Sequence, residues 1–407
     1  MSASDYSSNY EETLSDYGRS VGLDRIGICD SSVLDRARAE LKRRRDLGLS
    51  DTMQFTYRNP DRSTDPSRAL AEARSVIVGA RRYGDEPERS VERSPEISNI
   101  KMELRARVAK YAQADHYSAL RQSLELIAER LRADGHQASV FVDENNLVDR
   151  EVAWKAGLGW FGKSSNILLP GGGSWYVLGS VVTTALLQPT ARRVPDGCGT
   201  CRICIDACPT QAIVADGVID ARRCLAWLVQ KGGTFPFEFR VALGDRIYGC
   251  DDCQETCPPN VRFLSRHQST SVGSTPESSK EVWNFGVDLF AFLENDDQTL
   301  LETFGRWYIA DRDPKWLRRN ALIILGNVAP IPLSERVRRT IEKYLAHDDE
   351  YLRAHAVWTS ARLGMNSVRE LMSSDLSIEV QDELRRWDEV PVRYEQAELS
   401  SGMEPPR

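Results

Sequence analysis

The sequence predicts an α+β protein of three parts, and three observations lead to this prediction. Helical and strand-like patterns alternate through residues 1–190. Eight of the nine cysteines lie between Cys198 and Cys257. Helical patterns then fill residues 281–389. Because 407 residues suffice for two or three domains, we expect an α/β domain at 1–190, a cysteine-rich domain at 191–263 and a helical domain at 281–389.

The elements of the first domain are predicted from hydrophobic periodicity and from breaks at Gly and Pro. Helices are expected at 11–21, 33–47 and 101–133, and strands at 25–29, 75–80 and 138–142. A shorter helix ending at Ala156 is expected to have Asn146 as its N-cap and Asp149 at position N3. Two apolar runs, 167–169 and 174–183, flank three glycines and therefore predict a hairpin.

The cysteines carry the most specific pattern of the sequence. They form the series Cys198-x2-Cys201-x2-Cys204-x3-Cys208-Pro209, then Cys224, then Cys250-x2-Cys253-x3-Cys257-Pro258. This is the spacing of a bacterial two-cluster ferredoxin with a modified second half, in which the cysteine before the proline reaches the other cluster. We therefore predict two 4Fe-4S clusters, one held by Cys198, Cys201, Cys204 and Cys257 and the other by Cys208, Cys224, Cys250 and Cys253.

Two zinc sites or a disulfide framework are the alternative interpretations of these cysteines. Disulfides are typical of small secreted domains rather than of a 45.9 kDa chain without a secretory signal. Zinc does not account for the Cys-Pro endings. The ninth cysteine, Cys29, follows an apolar run and is expected to be a small buried hydrophobe.

Charge and hydropathy argue against two classes of protein. The net charge of −7 does not suit a protein that coats nucleic acid by bulk charge, although residues 222–246 and 306–320 each carry five basic and two acidic residues. The longest apolar stretch, 175–187, is shorter than the roughly 18–20 residues of a membrane span. The first fourteen residues are polar and acidic, unlike a secretory signal. We expect a cytoplasmic protein without a membrane segment.

The C-terminal part contains an internal repeat. A linker rich in Ser, Thr and Gln is predicted at 264–280. Beyond it, residues 316–321 (WLRRNA) align with residues 351–356 (YLRAHA) at a separation of 35. Two related helix pairs predict a short HEAT-like solenoid, with ordinary helical packing as the alternative. The acidic tail, 390–407, is expected to be disordered.

Two one-electron clusters beside an α/β domain imply that electrons reach a cofactor in that domain. The run Gly157–Gly162 has the letters of a dinucleotide fingerprint, but it follows a predicted helix rather than a strand. A Rossmann site is therefore not expected. The segment Asp134–Ser139 comes close to the motif of a histidine that ligates cobalamin, but it lacks the final glycine, which favours a chance match.

Four further segments accompany the cysteine series: Phe141-Val142-Asp143, Leu147-Val148-Asp149-Arg150, Ala156-Gly157-Leu158-Gly159-Trp160-Phe161-Gly162-Lys163 and Ile247-Tyr248-Gly249-Cys250-Asp251-Asp252-Cys253. Over residues 10–365 this combination resembles the epoxyqueuosine reductase family. The resemblance implies an oxidoreductase that converts epoxyqueuosine to queuosine at the wobble position of tRNA. It also implies a nitroreductase-like domain that binds cobalamin base-off, without a histidine ligand, in addition to the two 4Fe-4S clusters.

The resemblance further implies roles for single residues. Asp143 matches the general acid that protonates the departing epoxide oxygen; capping of the loop is the alternative role. Asp143, Val148, Arg150, Ile167 and Leu178 match positions around the corrin, with Lys231, Cys250 and Asp251 beside it. Lys231 and Arg240 match positions near the tRNA anticodon stem-loop, and the repeat adds Arg318, Arg319 and Arg353 as expected phosphate contacts. Solvated surface charges are the alternative for these basic residues.

Two other functions compete with this prediction. A reductive dehalogenase also combines two clusters with base-off cobalamin, but it usually carries a twin-arginine signal and no HEAT-like tail. A non-catalytic electron carrier, docked to an RNA-modifying partner, would lack bound cobalamin. For the enzyme we expect a monomer that receives electrons from an external flavodoxin- or ferredoxin-type donor.

Overall fold

The computed structural model describes residues 8–83, 104–190, 193–268 and 286–393. Within this range the chain forms two compact units, which are described separately. The first unit takes its residues from 1–92, 110–224 and 251–283, and the second from 93–109, 225–250 and 284–407. The domain limits expected from the sequence stay predictions.

An antiparallel four-stranded sheet is the centre of the first unit, in the order β1-β2-β7-β4. Its strands are β1 (Arg25–Asp30), β2 (Ser75–Arg82), β4 (Ala138–Val142) and β7 (Tyr176–Thr183). Strands β2 and β7 pair over eight residues, from Ser75 opposite Thr183 to Arg82 opposite Tyr176. Both strands are buried along almost their whole length, which explains their nearly continuous apolar sequences.

Helices cover both faces of this sheet. The longer ones are α1 (Ser8–Ser20), α2 (Asp35–Asp46), α7 (His116–Ala133), α8 (Asp149–Lys155) and α13 (Pro258–Gln268). Single-turn helices are α3 (Phe55–Arg58), α4 (Pro60–Ser63), α5 (Pro66–Ala69), α6 (Lys110–Gln113), α9 (Ile203–Asp206) and α12 (Asp252–Glu255). Two small hairpin-like pairs are formed by β5 (Trp160–Phe161) with β6 (Ile167–Leu168) and by β8 (Ile213–Ala215) with β9 (Val218–Ile219).

Two hydrophobic cores hold these layers together. On one face, Leu124 and Ile127 of α7 pack in the same core as Val177 and Val181 of β7. On the other face, Val152 of α8 shares a core with residues of β2 and β7. Each fully buried aliphatic side chain contributes about 1.5–3 kcal/mol relative to an exposed one. The sheet is therefore the fixed layer from which the loops at its strand ends project.

The structure confirms the strands predicted at 25–29, 75–80 and 138–142, as well as the helix predicted at 33–47. The single helix predicted at 101–133 is wrong, because Arg105–Val108 is a strand, β3, and α7 starts only after Asp115. The alternation in Arg105–Val108 buries Ala106 and Val108, as a strand requires. The Asp115 carboxylate accepts a hydrogen bond from the Ser118 N–H at 2.9 Å and so caps α7.

Two further expectations are wrong. The predicted hairpin does not form, because Ile167–Leu168 pairs with Trp160–Phe161, whereas Tyr176–Thr183 pairs with β2 and β4. A single bridge, Leu169 to Gly173, closes the glycine turn. Helix α8 begins at Asp149 with Val148 in the N-cap position, so Asn146 is not its cap.

The second unit contains a three-stranded sheet and the C-terminal helices. The sheet has the order β10-β3-β11, formed by β3 (Arg105–Val108), β10 (Arg246–Tyr248) and β11 (Gly286–Asp288). The helices are α10 (Leu225–Leu228), α11 (Arg240–Leu243), α14 (Leu289–Glu294), α15 (Asp297–Phe304), α16 (Lys315–Val328), α17 (Glu335–Leu345), α18 (Glu350–Arg362), α19 (Ser367–Leu371) and α20 (Ile378–Arg385). Three short 3-10 helices lie at Phe237–Phe239, Ala310–Arg312 and Trp387–Glu389.

The two segments that align in the sequence become helices α16 and α18, which pack against each other. Gly326 of α16 lets the Trp358 ring approach, since a Cβ at this position would lie 2.9 Å from the ring. The Thr359 hydroxyl donates to the Leu322 carbonyl at 2.7 Å across the same contact. The internal repeat therefore forms one continuous core.

The segments at the edges of the helical part differ from expectation where they are described. Helix α13 extends to Gln268, so the first residues of the predicted linker are helical; the remainder, 269–280, lies outside the described residues. Val390 is buried, and Arg393 donates to the Ala329 carbonyl at 2.7 Å. Residues 390–393 are thus packed rather than disordered, and 394–407 lie outside the described part. Within the described residues, no helix has the length and apolar character that crossing a membrane would need.

Candidate active site

The turn that follows strand β4 carries the predicted general acid. Asp143 adopts the left-handed conformation, with φ of 53°, which is uncommon for any residue with a side chain. Arg121 of α7 secures this turn by donating to the Val142 carbonyl at 3.2 Å and to the Glu144 carboxylate. The Asn146 amide donates to the same carboxylate at 3.1 Å. The position of Asp143 is therefore fixed by its neighbours on both sides.

The protein around Asp143 favours the protonated form of its carboxyl group. The residue is exposed to solvent, but desolvation by the surrounding protein raises the pKa of the carboxyl above its ordinary value. The negative charge of Glu144 raises this pKa further, while the Arg150 guanidinium opposes the shift. Asp143 thus retains a proton at a higher pH than an isolated Asp does.

A second carboxyl group, Asp149, lies at the first position of helix α8. Burial raises the pKa of Asp149 well above its ordinary value, and the charge of Asp143 raises it further. The two groups interact electrostatically, so the charge of one affects the protonation of the other. Sequence reasoning placed Asp149 at a helix start and gave it no chemical role.

An apolar wall adjoins the turn. Ile167 is buried in the core on this side of the sheet, and Val148, Leu178 and Phe161 are partly buried against the same core. The structure therefore places Val148, Ile167 and Leu178 in one core, and their contact with a corrin ring stays a prediction. On the same face of β7 the buried Ser180 hydroxyl has no hydrogen-bond partner among the described residues. On this surface Val148 and Leu178 remain partly exposed, whereas Ile167 is buried.

The first predicted set of thiols comes together in the structure. Burial raises the pKa of Cys257 to about 11, and charges on Cys204, Cys198 and Cys201 raise it as well. Burial and the charges of Cys198 and Cys201 likewise raise the pKa of Cys204. Four thiols that influence one another in this way lie near one another, although Cys204 and Cys257 are 53 positions apart in the sequence. A metal cluster at this place would deprotonate them.

The second set of thiols stays a prediction. Cys208, Cys224, Cys250 and Cys253 are all partly buried and none forms a disulfide. The Cys208 sulfur accepts a hydrogen bond from the Ala212 N–H at 3.2 Å. Cys29 is fully buried, and burial raises the pKa of its thiol to about 12, which confirms the interpretation as a buried hydrophobe.

Asp251 and Lys231 occupy different environments. Asp251 is buried in the first unit, where its carboxylate accepts the Lys110 N–H at 2.6 Å and the Gln254 amide at 3.2 Å. Lys231 is partly buried in the second unit, and its carbonyl accepts a hydrogen bond from Arg319. Asp251 thus also has a structural role that the sequence did not indicate.

Two of the predicted phosphate contacts are wrong. Arg240 is only 1% exposed and forms a bidentate ion pair with Glu383, at 2.7 and 2.5 Å. Arg319 is fully buried and donates to the carbonyls of Leu228, Lys231 and Gly233. Buried guanidinium groups cannot reach a phosphate, so these residues stabilise the helical unit.

Arg318 and Arg353 are also used inside the second unit. The Arg318 side chain is 11% exposed, pairs with Asp297 and donates to the Asn295 carbonyl at 2.8 Å. Arg353 pairs with Asp375 at 2.7 Å and donates to the carbonyls of His347 and Asp348. Most of the donors expected to meet RNA are therefore bonded within the protein.

The short helices α3 and α4 support the active-site turn, and sequence reasoning did not identify them. The Ser63 hydroxyl donates to the Asn145 carbonyl at 2.6 Å, and Arg62 donates to the Asn146 side chain. More than 80 residues separate these partners, so no local pattern connects them. The only feature of the sequence that could have indicated this segment is its pair of arginines on either side of a proline, in Arg58-Asn59-Pro60-Asp61-Arg62.

Known proteins share these features. Residues 197–260 match the family described as "4Fe-4S double cluster binding domain", and residues 63–144 match "Epoxyqueuosine reductase QueG, DUF1730". The epoxyqueuosine reductase of Vibrio cholerae is 33% identical over 342 residues, which cover 83% of this chain and 88% of the relative. That of Bacillus subtilis is 29% identical over 379 residues, covering 92% and 93%.

Solved structures agree with the sequence relatives. The crystal structure of epoxyqueuosine reductase with a tRNA-Tyr epoxyqueuosine-modified tRNA stem loop has a TM-score of 0.78 and 26% identity, and the match covers 94% of this chain and 98% of that chain. Epoxyqueuosine reductase from Streptococcus thermophilus gives a TM-score of 0.76 at 26% identity, covering 93% and 98%. The sequence identity, the shared extent and the common fold show that this chain belongs to the epoxyqueuosine reductase family.

Proposed function

We propose that this protein reduces epoxyqueuosine to queuosine at the wobble position of tRNA. Family membership supports this function, as does the similar structure that holds an epoxyqueuosine-modified tRNA stem loop. The observation that carries the proposal is Asp143, a carboxyl group with a raised pKa on a secured left-handed turn beside an apolar wall.

The reaction defines what this carboxyl group must do. Removing the epoxide oxygen leaves an alkene and water, and it consumes two electrons and two protons. Asp143 holds one of these protons and donates it to the oxygen as the carbon–oxygen bond breaks. A general acid is most effective when its pKa lies near the working pH. Desolvation and the charge of Glu144 raise the pKa of Asp143 in this direction. Arg150 limits the shift, so that Asp143 is able to lose its proton.

The residues around the turn fit cobalamin as the reacting cofactor. Val148, Ile167 and Leu178 supply an apolar surface for a corrin ring, and Arg150 is an exposed cation beside it. Bound there, cobalamin would supply a strong cobalt nucleophile for the epoxide carbon. Base-off binding without a histidine ligand, and contributions from Lys231, Cys250 and Asp251, are part of this proposal.

The double-cluster domain would supply the electrons one at a time. Cys198, Cys201, Cys204 and Cys257 would hold one 4Fe-4S cluster, and their mutual proximity supports this assignment. Cys208, Cys224, Cys250 and Cys253 would hold the second. An external flavodoxin- or ferredoxin-type protein is proposed as the electron donor. The enzyme is proposed to be a monomer in the cytoplasm.

The finer fold descriptions belong to the same proposal. The sheet with helices on both faces supports a nitroreductase-like first domain. The packing of α16 against α18, whose sequences align, supports HEAT-like repeats. Lys231 stays a proposed contact to RNA from the second unit.

A single-turnover assay tests the function. Anaerobically purified protein with reconstituted clusters and cobalamin is mixed with a chemical reductant and tRNA that carries epoxyqueuosine. Nucleosides are then separated by liquid chromatography and identified by mass. We expect a product that is lighter by one oxygen atom and that requires both cobalamin and the clusters. Unchanged epoxyqueuosine with the fully loaded wild-type enzyme would contradict the proposal.

A further inference from the structure

A cleft of about 460 Å³ opens beside the turn that carries Asp143. Helices α3 and α4 form one wall, and the turn forms the other. The lining residues are Phe55, Arg58, Asn59, Arg62, Ser63 and Asn145. None of them is acidic, and two are arginines, so the lining has a net positive charge.

The acidic residues near these helices do not neutralise the cleft. Asp61 pairs with Arg38 at 3.3 Å and with Lys42 at 2.8 Å, and Asp65 pairs with Arg68 at 3.5 Å. Arg58 is exposed, and in the described part of the chain no carboxylate pairs with its guanidinium. A cation in a cleft without a counterion is a site for an anion.

Arg62 connects the cleft to the catalytic turn. Its guanidinium donates to the Asn146 side chain. This bond uses only part of the five N–H donors that a guanidinium carries. Ser63 binds the Asn145 carbonyl from the same helix. Asn145 follows Asp143 by two residues, a distance of at most about 7 Å along the chain. An anion in the cleft would therefore lie close to the group that Asp143 protonates.

The other lining residues indicate what kind of anion fits. Phe55 offers a partly buried aromatic ring, and Asn59 and Asn145 offer exposed amides. An aromatic ring beside arginine and amide groups is the combination that proteins use for single-stranded RNA, where bases stack and phosphates bind guanidinium. A free inorganic anion would not use the ring.

We propose that this cleft binds a phosphodiester of the RNA strand next to the substrate nucleotide, with Arg58 as the main anion ligand. Arg62 acts as a positioning residue that holds the catalytic turn against the bound strand. The inference rests on the proposed function, because that function brings an RNA strand to Asp143. Cobalamin also contains one phosphodiester in its nucleotide tail, so the experiment must separate these two sources.

The test compares Arg58→Ala and Arg58→Lys with Arg68→Ala in the full-length protein. Arg68 is an exposed arginine of the neighbouring helix α5 and does not line the cleft. Binding of a fluorescent anticodon stem-loop is measured by anisotropy between about 50 and 200 mM salt. Cobalamin content, cluster absorbance and the melting temperature of each variant are recorded.

We expect Arg58→Ala to bind RNA about tenfold more weakly, the effect of one charged hydrogen bond. The slope of log affinity against log salt should fall by about 0.7, since one phosphate contact on a single strand is lost. Arg58→Lys should keep the slope but recover only part of the affinity, because an ammonium cannot bind a phosphate in bidentate fashion. Arg68→Ala should bind RNA with the affinity and salt slope of the wild type. Cobalamin content and cluster absorbance should not change in any of the variants.

Three results would overturn the inference. If Arg58→Ala binds RNA with the affinity and salt slope of the wild type, the cleft does not bind RNA. Loss of cobalamin in Arg58→Ala, with unchanged RNA binding by cobalamin-free protein, would assign the cleft to the cofactor. A wild-type protein that neither binds nor converts the RNA would contradict the proposed function as well, whereas conversion together with the first result would contradict only the cleft.

Discussion

Burial raises the pKa of Asp149 and the charge of Asp143 raises it further, although Asp143 begins the turn after a strand and Asp149 begins a helix. Glu144 raises the pKa of both groups, and Arg150 lowers both. The turn at 143–146 and the start of helix α8 thus contain three carboxyl groups and one guanidinium whose charges are coupled. In such a cluster the charges of neighbouring groups, as well as burial, determine the pKa of the general acid.

The first prediction concerns the pH dependence of turnover. The reaction requires protonated Asp143, so activity is lost as the pH rises through the pKa of this group. Glu144→Gln removes a negative charge and leaves the Arg121 guanidinium without its counterion, and both changes favour the ionised form of Asp143. The alkaline limb of the single-turnover pH profile should therefore move to lower pH. An unchanged limb would show that another group supplies the proton.

The second prediction separates the two aspartates. Asp143→Asn should retain cobalamin and both clusters but lose turnover by a factor of roughly 100 or more, the usual contribution of a general acid. Asp149→Asn is the matched control, since it removes a coupled carboxyl group and leaves the acid in place. Its turnover should fall much less. Equal losses in the two variants would assign the proton to the pair rather than to Asp143.

The third prediction concerns the metal content. Two 4Fe-4S clusters contain two times four, or eight, iron atoms per chain. Cys257→Ala removes a ligand of the first set, and Cys224→Ala removes one of the second, so each should reduce iron toward four atoms. Cys29→Ala, which alters a buried cysteine outside both sets, should retain all eight. Iron analysis combined with electron paramagnetic resonance distinguishes these outcomes, and zinc in place of iron would contradict both assignments.

Local patterns predicted the parts of this protein that are determined locally. The strand at 138–142 and the cysteine spacing follow from periodicity and from the geometry of a cluster. The helix predicted at 101–133 failed because Arg105–Val108 pairs with Arg246–Tyr248 and Gly286–Asp288, which lie more than 130 residues away in the sequence. No pattern within the segment shows that such partners exist.

The basic residues illustrate the same limit. In the sequence, Arg318 and Arg319 are equivalent neighbours on a helix. The structure turns Arg319 toward the carbonyls of residues 228–233 and leaves Arg318 near the surface with Asp297. Arg58 and Arg62 line a cleft because the turn at 143–146 reaches them. Burial and partners, which decide the role of an arginine, depend on the fold.

The fourth prediction tests the buried ion pair of Arg240 and Glu383. Glu383→Ala leaves a guanidinium buried without a counterion, which should lower the free energy of unfolding by about 3–5 kcal/mol. Replacing both residues, with Arg240→Met and Glu383→Leu, should restore most of this loss because no unpaired charge remains. Chemical unfolding followed by circular dichroism measures both effects. A stable Glu383→Ala protein with altered RNA affinity would instead place Arg240 at the RNA.

The last prediction concerns His355, which lies fully buried in helix α18. Its Nε2 accepts the Phe235 N–H at 3.2 Å, and its Nδ1 lies 2.6 Å from the Tyr351 carbonyl, so the neutral ring donates from Nδ1. Burial lowers the pKa of His355 well below 6.5, and the charges of Arg240 and Arg319 lower it further. In the unfolded chain the ring takes up a proton below about 6.5, whereas in the folded protein it does not.

Folding stability should therefore fall as the pH decreases below about 6.5, by up to about 1.4 kcal/mol per pH unit from this one residue. His355→Gln provides the comparison, because its amide oxygen still accepts the Phe235 N–H but does not titrate. We expect the free energy of unfolding of the wild type, measured in urea between about pH 7 and 5.5, to decrease more steeply than that of His355→Gln. Parallel curves would show that the buried ring is protonated in the folded state.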